Sequence, residues 1–384
     1  MSVLLRSSNL GWPTIRTWHS ALLNLSSAFT LLPSALMAWA AWRSHRWKRL
    51  GQSLSVSVRP VTQLLLDWYS PGLLAVVLAP LVALLWMGSQ SHGLPRPEEL
   101  LLLPATVAQL AVWVLAGAVL GALLPVALSV PFSMLIPFVV VAYPPALTSF
   151  VPRHVLGLHG SCCQLDRVAP IGILLAPLVF YALVAGLLWW VLTRPRWWRL
   201  LLVAVGIALV WRAVVPLVET VDDPDGTLPR DRAEQVCTGA DPRVCLWPEQ
   251  EFAREQITAV THTVANTLRT AGVPVPDEMS ADSRAHWFYG AGARSDDPRL
   301  VRVAVTSGAA SVPMPACART NPWPMQQALD DLATWIWLRS DFPAEAVSPS
   351  PRLRSVLARP TADQQQWFRT TMALRSRCGV EPPT

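Results

Sequence analysis

No charged residue occurs between Glu99 and Arg153. About 20 apolar residues already cover the hydrocarbon core of a bilayer, so a run this long suits two helices better than one. They would be joined by a tight hairpin around Pro125 to Pro131. Lipid offers no partner to exposed backbone N–H and C=O groups, which makes helices the expected form of such runs. The same length test selects six segments: 20–42, 71–87, 104–126, 131–147, 171–193 and 200–218. Pro33, Pro80, Pro137 and Pro177 fall inside them and are compatible with helices whose neighbours re-satisfy the freed carbonyls.

Charge divides the chain. Residues 1–218 hold 14 Lys and Arg against 4 Asp and Glu, whereas residues 219–384 hold 17 against 21. Local net charges of +10 and −4 predict an all-α polytopic membrane domain over 20–218, followed by a mixed α/β soluble domain over 219–384. Residues 1–19 read as a short tail that crosses the membrane unaided, as an interfacial helix or as the remnant of a further span.

Cationic loops are retained on the cytoplasmic side, so short loops report orientation. With residues 43–70 inside, the inner loops carry Arg43, Arg46, Lys48, Arg49, Arg59, Arg194, Arg196 and Arg199. The outer segments carry Arg6, Arg16, Arg96, Arg153 and Arg167. Arg46, Lys48 and Arg49, in the run RSHRWKRLGQS, are the expected topology-setting residues. In this orientation Cys162, Cys163, Cys237, Cys245, Cys317 and Cys378 all fall outside, where thiols oxidise. The short loop CTGADPRVC predicts a Cys237–Cys245 disulfide, and Cys317 with Cys378 is the expected second pair. The protein is thus expected in the cell membrane, multi-pass, with its C-terminal domain extracytoplasmic. Arg212, inside the last segment, reads as a snorkelling side chain, against the alternative of a functional intramembrane charge.

Several chemistries lack their motif. Lys48 is the sole lysine and has no glycine cradle, which excludes a GxxxxGK[ST] nucleotide loop. There is no HExxH and no GxSxG, and His262 and His286 have no ligand pattern around them, so no enzyme, metal or cofactor is expected. The basic run lacks a reading module for nucleic acid and instead anchors a helix end at anionic head groups. Within the spans, Gly117 and Gly121 in GAVLG have the spacing for close helix packing; Asn24 and Gln109 are expected to face protein rather than lipid.

In the C-terminal domain, Pro248 and early acids followed by Phe252, Ile257, Val260, Val264 and Leu268 on one stripe predict an amphipathic helix ending at Gly272. WPE reads as its N-terminus with a packed indole. LVRVAVTSG at 300–308 alternates like a half-buried strand, and 324–340 and 361–377 read as helices.

Residues 38–147 resemble the permease-like membrane proteins that accompany ABC transporter ATPases in actinomycetes. The resemblance rests on AAWRSHRWKRLGQSLSVSVRP and LGALLPVALSVPFSMLIPFVVVAY. It implies about six spans, an exporter-type permease subunit, a separate cytoplasmic ATPase and a homo- or heterodimer. The ATPase would dock on the inner loop 43–70, where Leu65, Leu66 and Trp68 supply apolar side chains. The alternative is a membrane-tethered ligand-binding or sensory protein with an extracytoplasmic domain.

Overall fold

A computed structural model describes Trp18, Leu22 and residues 31–54, 61–89, 94–158, 165–193, 197–223, 226–289, 297–310 and 323–376. The chain forms two compact units. The first takes in residues 167–228 and most of what precedes them, and the second takes in Pro229–Thr384 together with Cys163–Asp166.

The first unit is helical: α1 (Leu32–Leu54), α2 (Val61–Gly88), α3 (Leu102–Leu123), α4 (Val126–Ala142), α5 (Ile171–Thr193) and α6 (Trp197–Val214). Among the described residues four helical stretches are long and apolar enough to cross a membrane, Thr62–Trp86, Pro97–Leu123, Ile171–Thr193 and Trp197–Leu217. This supports a membrane protein but differs from six spans at two places. The helix α4 has 17 residues, about 26 Å at 1.5 Å per residue, short of the ~30 Å core. The second half of α1 is the basic run, and its apolar lead-in at 20–30 lies, apart from Leu22, outside the described residues.

Segment bounds also move. The reversal between α3 and α4 is tighter than expected: Leu124 and Pro125 make it, with the amides of Leu128 and Ser129 donating to the Pro125 carbonyl. Pro131 is therefore inside α4 and not at its start. The described parts of the expected inner loop, residues 43–54 and 61–70, are helical. Helix α1 runs through Arg43 and Arg46 to Leu54, and α2 is already helical at Val61. Long cationic side chains can lay their methylene stems along a helix while their heads reach water, so charge did not end α1.

Helix α1 packs on α3 and α4, α3 on α5, and α5 on α6. At the α1–α3 crossing, a Cβ on Gly117 would sit 2.1 Å from the Met37 carbonyl oxygen, and one on Gly121 would sit 2.2 Å from that of Ala41. Absent side chains let the two backbones touch, the geometry that small-xxx-small spacing permits. Next to this contact, Ser44 donates to the Ala118 carbonyl at 2.8 Å and pairs with the Tyr69 hydroxyl, tying α1, α2 and α3 together.

The second unit holds a four-stranded sheet in the order β1 (Val236–Thr238), β2 (Arg243–Leu246), β3 (Glu278–Ser280), β4 (Trp287–Phe288). The first pair is antiparallel and the next two are parallel. Between β2 and β3 runs α7 (Arg254–Thr270), the crossover that a parallel pair requires. Helices α8 (Pro298–Ala310), α9 (Trp323–Arg339), α10 (Pro351–Leu357) and α11 (Thr361–Ser376) follow. The core gathers Trp247, Trp287, Trp335, Ile257, Val264 and Phe368. As expected of WPE, Pro248 opens a 3-10 lead-in and the buried Trp247 indole donates to the Ala281 carbonyl at 3.0 Å. Phe252 is exposed, outside the stripe that buries Ile257, Val260, Val264 and Leu268.

Residues 300–308 form a helix and not a strand. Val301, Val305 and Gly308 are buried at helical spacing, and Gly308 approaches the sheet so closely that a Cβ there would lie 1.9 Å from the Phe288 carbonyl oxygen. Tertiary packing thus overrides the strand preference of alternating valines.

Candidate functional site

Polar groups are expensive inside a helical membrane unit unless they face one another, so those present mark its informative positions. Apolar α3 turns Thr106 and Gln109 inward. Thr106 Oγ1 donates to the Leu102 carbonyl at 2.8 Å. From α5, the Tyr181 hydroxyl donates to the Leu156 carbonyl at 3.1 Å and pairs with the Gln109 side chain. These groups border a void of about 10 Å³ with Gly157 and Pro177, about the space of one water molecule. Gln109 thus faces protein; Asn24 lies outside the described residues. Helix α4 buries Ser129, Ser133 and Pro137, spaced by four, on one side.

A second cluster recurs at two separate helix junctions. The Arg43 guanidinium lies 5.3 Å from the Trp39 ring centre and 4.7 Å from that of Trp68, and the Trp68 indole donates to the Arg43 carbonyl at 3.3 Å. Arg46 stands 4.7 Å over Trp42. At the α5–α6 junction, Arg199 lies 4.5 Å from Trp190 and 5.4 Å from Trp198. Arginine held on indole faces gains cation–π attraction, and Trp with basic residues is the composition of a membrane–water boundary. The backbone of Lys48 and Arg49 lies in α1.

Of the three residues expected to dock an ATPase, Leu65 is buried in the core of the first unit, Trp68 is half-buried against Arg43, and Leu66 is exposed. Because this stretch is helical, its residues cannot all face one partner. Arg212 is exposed near the end of α6.

In the second unit, Cys237 and Cys245 oppose each other across β1 and β2 and form a disulfide. Closing so short a loop is worth roughly 2.5 kcal/mol in the chain-entropy picture. Cys162, Cys163, Cys317 and Cys378 lie outside the described residues. No cluster of three metal-ligating side chains occurs among the described residues.

Sequence reading missed a buried ionic cluster because its members are scattered along the chain. Arg230, with its side chain 5% exposed, donates to Glu234 at 2.7 Å and to Glu249 at 3.0 Å, and lies 4.3 Å over Trp247. Fully buried Asp282 accepts from Arg232 at 2.7 Å and Arg284 at 2.6 Å, while Asp166 accepts from the Ser283 amide and hydroxyl. Burial pushes the Asp282 pKa up, but bonds from the Arg284 side chain and amide and from Arg232 outweigh it and hold the group at about 2, below its ordinary 3.8. A carboxylate depressed in the folded state stabilises above its unfolded pKa and loses that contribution as pH falls through the folded value. Asp282 should therefore contribute fully at pH 5 and lose its contribution between about pH 4 and pH 2, and Asp282→Asn should flatten the acid limb of the stability–pH curve measured by chemical denaturation.

On another side of this unit, α7, α9 and α11 border an open cleft of about 410 Å³ lined mainly by hydroxyl and amide side chains.

These features define a class: a helical membrane-type unit with a few polar side chains buried in an apolar core and arginine–tryptophan clusters at two helix junctions, together with a small disulfide-bonded α/β domain. A family described as "Domain of unknown function (DUF7224)" matches residues 244–378, within that domain. Neither a curated protein nor a solved structure matches the chain.

Proposed function

We propose that the protein is the membrane-spanning permease-type subunit of an ABC exporter, driven by a separate cytoplasmic ATPase and working as a dimer, with its C-terminal domain outside the cell. The observation that carries this reading is the set of mutually facing polar residues, Thr106, Gln109 and Tyr181, within apolar helices of membrane length. Intramembrane polar residues that face the helix-bundle interior mark paths for substrate or ions. The arginine–tryptophan junctions support placing the ends of α1 and α5 at one cytoplasmic boundary. Exposed Leu201, Val205 and Leu209, spaced by four along α6, give a face for lipid or a second copy.

Because Leu65 and Trp68 are committed to internal packing, the ATPase contact falls to Leu66 and Arg46, which are each exposed. Full-length protein isolated from native membranes in mild detergent should bring down vanadate-sensitive ATP hydrolysis. Leu66→Asp should lower that activity on the order of tenfold without altering the melting temperature. Leu65→Ala should lower stability instead, by about 3 kcal/mol. Isolation without any ATP hydrolysis would remove the permease reading.

A second reading, a membrane-tethered ligand-binding or sensory protein, is favoured by the polar cleft of the C-terminal domain.

A further inference from the structure

We infer that the cleft between α7, α9 and α11 is a binding site for a neutral saccharide. The inference rests on the ligand-binding reading and is independent of the permease reading.

Helix α7 is two-faced. Its apolar side enters the core, while Thr263, Asn266, Thr267 and Thr270 lie at i, i+3, i+4 and i+7 on the cleft side. The three threonine hydroxyls each donate to the carbonyl four residues earlier, at 3.0, 3.1 and 2.9 Å. That use of their protons holds the rotors and leaves the oxygens as acceptors. Thr267 is further tied to Ser340 across the cleft at 2.9 Å. Asn266 Oδ1 accepts from Arg269, which turns its amide nitrogen into the available donor. Gln365, on α11, donates one of its two amide protons to the Thr270 carbonyl and keeps its oxygen as an acceptor.

Charge narrows the ligand class. Arg339 and Asp341 are the charged residues lining the cleft, and their charges cancel. Arg339 is held by Gln364 at 2.5 Å, and Asp341 stands at φ 53°, in the left-handed region, just past the end of α9. A cleft with no net charge favours a neutral ligand over a simple anion or cation, and one lined by fixed donors and acceptors has little to offer an apolar molecule. A saccharide hydroxyl donates and accepts at once and so matches both kinds of group. Trp335, almost wholly buried, also borders the cleft, and its indole is held from behind by a bond to Gln364 at 3.3 Å. A peptide bound by strand addition would require a sheet edge to pair with, and helices border this cleft. The volume lies within the roughly 300–1,000 Å³ of small-molecule sites.

The test is saturation-transfer NMR on the full-length protein in nanodiscs, with glucose, N-acetylglucosamine and maltose as probes and triglycine and inorganic phosphate for comparison. Transfer to the ring protons of at least one saccharide is expected. The double variant Thr263→Val, Asn266→Leu should weaken it on the order of tenfold at unchanged melting temperature. Thr361→Val, on a different helix of the cleft, should weaken the same signal if the double variant proves less stable. No transfer to a saccharide above that seen with empty nanodiscs, or transfer unchanged in both variants, would overturn the assignment. Transfer to triglycine or phosphate alone would overturn the saccharide class while leaving a ligand-binding domain.

Discussion

Gly117→Leu is expected to prevent the first unit from assembling. Even a single Cβ at this position would lie 2.1 Å from the Met37 carbonyl oxygen and 2.9 Å from its Cα. Those are backbone atoms within a helix, so no side-chain rotation relieves the overlap, and α1 must move away from α3. Separation would break the Ser44 bond to the Ala118 carbonyl and expose the seam that Met37, Ala40 and Ala41 now fill. Overpacking of a well-filled contact costs about 1–3 kcal/mol and more where backbone must shift, and a leucine adds four heavy atoms to a gap that cannot accept one. Loss of a monodisperse species in detergent is the expected readout. Gly186→Ala provides the contrast: a Cβ there meets nothing within 4 Å, and alanine should favour that exposed helical position by up to about 1 kcal/mol.

The second large effect is expected at Arg230. Its side chain is enclosed by Glu234, Glu249 and the Trp247 ring, and its backbone amide donates to the Asp166 carbonyl at 2.8 Å. Arg230→Ala would leave the mostly buried Glu249 without this counter-charge, uncover the indole face and empty the space beside the Leu165 carbonyl, to which the guanidinium also donates. Removing one member of a buried ionic group costs about 3–5 kcal/mol. The half-exposed Glu234 argues for the lower end, about 3 kcal/mol. Arg230→Met with Glu249→Met should recover most of the loss, since replacing both partners by apolar groups avoids the stranded charge. Denaturant titration of the second unit's tryptophan signal reads both variants; equal stabilities for the single and double variants would show that the ion pair is not the source of the effect.

How much of this could be read from sequence depended on segment length. Residues 171–193 form a helix over that same range, because an unbroken apolar run leaves few alternatives. The helices near 254–270, 324–340 and 361–377 were visible in their periodicity and start signals, and the Cys237–Cys245 loop in its spacing. By contrast, β3 and β4 have three and two residues, too few for an alternating pattern to exist. The valines of 300–308 fit period 2 and also a helical i, i+4 face; packing of Gly308 against β4 decided for the helix. The basic run lies just past the apolar segment 20–42 and so reads as part of an inner loop, whereas Arg43 and Arg46 lie on tryptophans of α1 itself. The ionic cluster and the cleft escaped because each joins residues distant in sequence. Thr263, Asn266, Thr267 and Thr270 could have signalled the cleft, yet such a stripe is also what any solvated helix face carries.

The proposed export function depends most on sidedness, with the basic end of α1 in the cytoplasm and the disulfide-bonded domain outside. Thiol labelling tests it directly. Spheroplasts treated with a membrane-impermeant reductant and then a membrane-impermeant maleimide should label Cys237, whereas a cysteine introduced by Gln63→Cys, at an exposed uncharged position of the inner stretch, should label only after lysis, both read by peptide mass mapping. Labelling of the introduced thiol in intact spheroplasts, with Cys237 reached only after lysis, would contradict the proposed orientation and the export reading built on it.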